Sequence, residues 1–159
     1  MKGVGRALRR WTVVAAVIAA AAVPSLAGDE EYLLDDARVS GQQIHAFTDG
    51  DQPILVVLKD FQLTIGQREI RARDAVLWVK SQKLGLAERH EITVYAEGGV
   101  SVIEGDGTTA GDDTMLVTLR QQGQLATVGV MSDQSLTDFP LYRRATDARR
   151  RGQQAAEAA

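Results

Sequence analysis

The chain has no cysteine, no asparagine, three prolines, and aromatic residues at only 5% of its 159 positions. Without cysteine there is no disulfide and no thiolate, so the fold must rest on packing and backbone pairing. Without asparagine, turns fall to the 15 glycines and to aspartate. The only histidines, His45 and His90, lie far apart and in no metal-ligand spacing, so both are read as structural or surface residues.

Catalytic patterns are equally scarce. Glu91, Glu97, Glu104 and Asp106 offer carboxylates for glycoside hydrolysis, but nothing singles out two of them. A nucleophilic serine would need a base, and neither histidine stands in a recognisable context. No glycine loop that would cradle a phosphate precedes a helix. Asp49-Gly50-Asp51, Asp106-Gly107 and Asp112-Asp113 belong to no twelve-residue calcium loop and are read as turn residues. The expectation is a protein without catalysis, cofactor or metal.

Long apolar runs are also few, and the longest reads as an address. Lys2, Arg6, Arg9 and Arg10 precede the thirteen residues Trp11 to Val23, followed by Pro24 and Ser25-Leu26-Ala27. As a helix that run spans about 20 Å, short of the roughly 30 Å hydrocarbon core of a bilayer. Residues 1–27 are therefore read as a signal peptide of the general secretory route, cleaved after Ala27, with an uncleaved N-terminal anchor as the alternative. Four of the 18 Lys and Arg and none of the 21 acids lie there, leaving 14 against 21 and a formal charge of −7. Such an acidic domain is a poor match for nucleic-acid phosphates. Its acids crowd one end (Asp29, Glu30, Glu31, Asp35, Asp36) and its arginines the other (Arg143, Arg144, Arg149, Arg150, Arg151).

What remains is dominated by alternation. Glu91-Ile-Thr-Val-Tyr-Ala-Glu-Gly-Gly-Val-Ser-Val-Ile-Glu-Gly-Asp106 alternates apolar and polar residues and is broken at Gly98-Gly99 and at Gly105-Asp106-Gly107. That is the pattern of short strands with one buried face, joined by turns. Phe61-Gln-Leu-Thr-Ile65 and Ile70-Arg-Ala-Arg-Asp74 repeat it, Ile54-Leu-Val-Val-Leu58 reads as a buried strand, and Lys80 to Arg89 reads as a polar loop. Residues 37–40 and 44–47 read as two short strands around Gly41. Ile65 to Val79 aligns with Ile103 to Val117 at an offset of 38, setting Ala72 on Ala110 and Asp74 on Asp112. Similar strand pairs are thus expected to stack as a short solenoid.

Helical spacing appears only after Pro140, so an all-β domain over residues 28–139 is followed by a helical or disordered Arg- and Ala-rich tail, 140–159. No helix looks amphipathic enough to cover a sheet, so the apolar face is expected to be covered by sheet. Its candidate lining is Val56, Leu58, Phe61, Leu63, Ile65, Ile70, Leu77, Val79, Ile92, Val94, Val100, Val102, Met115, Val117 and Leu119, with Val128 and Val130. Trp78 is read as a packing residue.

Val94-Tyr-Ala-Glu-Gly-Gly-Val-Ser-Val-Ile-Glu-Gly-Asp106, then Ala110-Gly-Asp112, resembles the OstA-like domain of the lipopolysaccharide-transport family. Asp60-Phe-Gln-Leu-Thr-Ile-Gly66 and Ala72-Arg-Asp74 resemble an earlier copy, so the likeness covers residues 54–130. The resemblance implies an open, twisted, taco-like β-jelly roll in the periplasm of a diderm bacterium, serving outer-membrane biogenesis. It implies that the apolar lining binds acyl chains of lipopolysaccharide or another acylated lipid. It also implies end-to-end pairing of edge strands, with other jelly-roll transport proteins or with itself. The chain departs from the family in having Gly98-Gly99 for the usual Gly-Asn, few repeats, and no β-barrel sequence after residue 130. The alternative is an envelope scaffold of the same fold that works through strand edges and carries no lipid; a degenerate carbohydrate-active domain ranks behind both.

Overall fold

The computed structural model describes residues 32–158. The expected signal segment, its cleavage point and the acids at 29–31 lie outside them. The described chain is mostly β: one open six-stranded sheet and a C-terminal helix. The strands are β1 (Ala37–Asp49), β2 (Gln52–Ile65), β3 (Arg68–Leu84), β4 (Ala87–Ile103), β5 (Thr109–Gln122) and β6 (Leu125–Ser132), followed by α1 (Pro140–Ala158). Their order across the sheet is β5-β4-β3-β2-β1-β6, and every neighbouring pair is antiparallel except β1 and β6.

The strands are longer than the alternation suggested, because each expected break inside a strand is a bulge. Pairing slips between Ser40 and Gln43 in β1, Leu58 and Phe61 in β2, Arg71 and Asp74 in β3, and Glu97 and Val100 in β4. Leu58 faces Asp74 and Asp74 faces Glu97, so the slips line up as one crease across the sheet. Gly98-Gly99 is therefore a bulge within β4 rather than a turn. Lys80 to Arg89 is likewise no loop: β3 continues to Leu84 and β4 starts at Ala87. At the crease Lys59 and Asp60 adopt left-handed backbone, φ 66° and 57°. Such a residue costs roughly 1–2 kcal/mol when it is not glycine. Flanking strands supply partners: the Lys59 N–H donates to Asp74 Oδ1, and the Gln42 amide donates to Asp60.

The crease lets the sheet double back, and one connection requires it. β5 ends at Gln122 beside Arg89, level with the β3–β4 hairpin. β6 starts at Leu125 beside Ala37, level with the β2–β3 hairpin at the opposite ends of the strands. A flat fourteen-residue strand would hold those levels about 45 Å apart. Gly123 and Gln124 span at most about 11 Å, so the sheet must fold to bring the two corners together. The junction is pinned by Ala37 N–H to Gln124 O, Gln124 N–H to Asp36 Oδ1, and Leu33 bridging β5 at Gln121.

Folding gives the inner face its cover. Ala37, Val39, Ile44, Val57, Phe61, Leu63, Ile65, Ile70, Leu77, Ile92, Val94, Ala96, Val100 and Leu119, from both sides of the crease, form one buried cluster. The outer face of the β2–β4 half carries a second cluster, Ile54, Val56, Val76, Trp78 and Tyr95, and α1 covers it with Leu141, Tyr142 and Ala145. The expectation that no helix does this work fails here. The apolar stripe Leu141, Ala145, Ala148 is short, and small alanines let the helix lie close to the sheet. Pro140 stands at the first helical position, where its missing N–H has no cost. Phe47 meets the Tyr142 ring edge-on at 5.8 Å, and the Arg149 guanidinium lies 4.8 Å above the Trp78 ring.

Candidate functional site

Two features stand out on this frame: the apolar inner wall and the free edge at β6. Of the residues expected to line the inner wall, Phe61, Leu63, Ile65, Ile70, Leu77, Ile92, Val94, Val100 and Leu119 are brought together there. Val102, Met115 and Val117 are half-buried against them. Val79 is buried and paired with Ile92. Val56 points the other way, into the cluster beneath α1, and Leu58 packs against that same cluster. The run Ile54 to Leu58 is apolar at every position because each of its faces has a cover, so alternation could not assign its sides. Val128 and Val130 belong to the outward side of β6 and are 44% and 71% exposed. The missed wall residues Val39 and Ile44 stand on either side of the Gly41 bulge, which reverses the phase of β1.

The wall is filled by its own side chains, most of them 0–3% exposed. Clefts on the described surface are polar or peripheral. One of about 500 Å³ is lined by Asp35, Asp36, Arg38, Ser40, Gln62, Thr64 and Gly66 on the outer surface. Another of about 590 Å³ sits beside Asp49, Gln52, Pro53 and Val79. A third, of about 310 Å³, runs between α1 and β5 at Leu116 and Val117.

The wall ends in a polar layer where β3 and β5 finish and β4 starts. His90, read from sequence as following a loop, is a buried residue of β4; its Nδ1 lies 2.7 Å from Ser81 Oγ, and its Nε2 is 3.6 Å from Glu88 Oε1. Gln121, its partner across β5, is buried and donates to the carbonyls of Asp35 and Gln124. His45 lies in β1, as expected. Asp51 and Asp106 stand at turns, whereas Asp112 and Asp113, expected in a turn, lie within β5. The Thr108 hydroxyl first, and then the Thr108 N–H that donates to Asp106 Oδ1, hold the Asp106 carboxyl below its ordinary value.

Beneath α1, burial first and then the Asp49 carboxylate, which accepts the Tyr142 hydroxyl at 2.8 Å, push the Tyr142 pKa above its ordinary value. Burial, then Glu97, does the same at Tyr95. In both cases the folded state holds the proton more tightly than the unfolded chain does. Their contribution is therefore complete below the unfolded value of 10.0 and is lost as pH rises through the higher folded value. Urea unfolding is expected to show stability falling from about pH 10 upward, with a shallower fall in Tyr142→Phe. Equal slopes in the two proteins would detach the effect from this hydroxyl.

Among the described residues β6 has a strand neighbour on one side only, β1. Leu125-Ala-Thr-Val-Gly-Val-Met-Ser132 carries no charge and no proline, and Val128, Val130 and Met131 are exposed. β5, the edge at the other end of the sheet order, carries Asp112, Asp113 and Arg120. Among the described residues no helix is long and apolar enough to cross a membrane, and no three His, Cys, Asp or Glu side chains cluster to hold a metal. Compared with protein-family models, curated proteins and solved structures, the chain matches none.

Proposed function

We propose that this is a non-catalytic contact module of the OstA-like kind, exported to the envelope of a diderm bacterium. In this view the creased sheet is a short, open jelly roll, and β6 pairs with the edge strand of another jelly-roll protein or of a second copy. The observation that carries it is the exposed, uncharged edge at β6. Sheet proteins ordinarily blunt such edges with lysine, proline or inward charges, because unpaired N–H and C=O groups recruit further strands. Here the edge is left as a template, and Val128, Val130 and Met131 offer alternate side chains for specificity.

Sedimentation of the chain processed after Ala27 is expected to show association that grows with concentration. Val130→Lys should abolish it while shifting the unfolding midpoint little, since changes at exposed positions usually fall within about 0.5 kcal/mol. Association that persists unchanged in Val130→Lys would rule out this edge.

A second reading, acyl-chain binding, draws on one specific feature. Away from the Gly123–Gln124 junction, Val102, Met115 and Val117 leave the inner wall only half-sealed. A chain entering there would gain about 0.8 kcal/mol per buried methylene. Retention of a lipid A-type amphiphile, lost in Val117→Asp, would support it. Trp78 is no reporter of this event, because it faces α1.

A further inference from the structure

We infer that the β3–β4 hairpin tip is a membrane-contacting finger, which lays this end of the sheet on a bilayer containing anionic phospholipid. The tip is Leu84-Gly85-Leu86, turned by Gly85 at φ 64°. Leu86 is wholly exposed and Leu84 is 42% exposed, in a molecule that buries most of its large aliphatic side chains. Lys80 and Lys83 flank them on β3, and Arg89 stands on β4. Leucines at a turn with cations set back along the stems form the amphiphile that sits at a lipid interface, apolar atoms among acyl chains and cations at headgroup level.

The course of the chain gives the second argument. The described residues begin at Tyr32, whose ring lies 4.4 Å beneath the Arg89 guanidinium. Tyr32 shares a small cleft with Lys80, Ser81 and Gln82 at the base of this hairpin. Leu34, two residues on, is 75% exposed, and the adjacent Leu33 pairs with the end of β5. The described chain thus begins beside Arg89 and the end of β5, at the same end of the sheet as the finger.

Glu91 and Glu88, which face Lys80 and Lys83 across the hairpin, temper the positive charge here. The leucines therefore carry most of the contact, and the lysines make it sensitive to salt. Neither the β6 edge nor the inner wall is needed for this contact, so it stands apart from the proposed function.

The natural absence of cysteine makes the test direct. The full chain bearing Leu86→Cys, labelled with an environment-sensitive fluorophore, is reconstituted in phosphatidylglycerol–phosphatidylcholine vesicles. Asp113→Cys, at the crease and about 33 Å of strand away, is the control. The label at 86 is expected to shift to the blue and to be quenched by lipid-borne nitroxide, while the label at 113 stays water-like. Lys80→Glu with Lys83→Glu should return the label at 86 towards its aqueous emission. Equal emission at the two sites would overturn the proposal. So would a blue shift that needs no lipid and grows with protein concentration, since the occupant of the tip would then be a second copy.

Discussion

Leu141→Asp is expected to strip α1 from the sheet and leave the domain largely unfolded. Leu141 is buried among Ile54, Val56, Val76, Trp78 and Tyr95, so truncating it costs about 2–5 kcal/mol in transfer and cavity terms. A carboxylate placed there is set among apolar side chains, and the effective penalty for burying it is several kcal/mol more. A domain of this size has roughly 5–15 kcal/mol to lose, so either the whole fold goes or the helix detaches and bares the outer cluster. Arg144→Ala is the matched control. Arg144 makes two hydrogen bonds to Glu97 Oε1, at 2.8 and 3.1 Å, but its side chain is half exposed. Screening by solvent limits that pair to about 1 kcal/mol or less. Urea unfolding followed by Trp78 emission reads both, because Trp78 sits beneath α1. If Leu141→Asp unfolds no more readily than Arg144→Ala, the helix is an ornament on a sheet that stands without it.

That contrast explains what the sequence could disclose. Alternation at Phe61 to Ile65 and at Ile92 to Ala96 named strands correctly, because each has one face in the inner cluster and one outside it. The 38-residue repeat sets Asp74 and Asp112 alike at the crease, but its two hairpins lie side by side in one open sheet and do not stack as the expected solenoid. What could not be read was continuity. Gly98-Gly99 and Lys59-Asp60 look like ends of strands when only local propensity is weighed, yet neighbouring strands bulge at the same level and carry the pairing through. The polar stretch Lys80 to Arg89 pairs because β3 and β4 are already aligned by the apolar residues before it, a tertiary cause that outweighs composition. The tail was legible only as helical or disordered, and its role was not, because three buried residues and an alanine make a weak stripe until the apolar outer face of β2 to β4 is in place. Of the candidate site, the inner wall was legible from period two. The exposed edge was not, since Val128 and Val130 carry the same signal as buried valines, and only strand order shows that β6 has one described strand neighbour rather than two.

Gly41→Val tests the crease itself. A Cβ on Gly41 would overlap Cγ1 of Val57, which is fully buried in the inner cluster, and a Cβ on Gly129 would overlap the Gly41 carbonyl. The two glycines thus let β2, β1 and β6 nest where the sheet bends. Forcing a valine into that space is expected to cost about 1–3 kcal/mol as overpacking, more if the bend cannot relax. Val57→Ala alone should cost about 2 kcal/mol for the hole it leaves. Combined, the two changes should cost less than their sum by about 1 kcal/mol, since the new side chain can occupy the volume the old one vacated. Strict additivity would mean that Gly41 and Val57 do not meet, and the bend would need another cause. Coupling would tie the β6 edge to the core: among the described residues β6 pairs only with β1, so whatever loosens β1 at Gly41 also loosens the strand offered to a partner. Hydrogen exchange should therefore rise in β6 of Gly41→Val before it rises in β3 or β4, which keep neighbours on both sides.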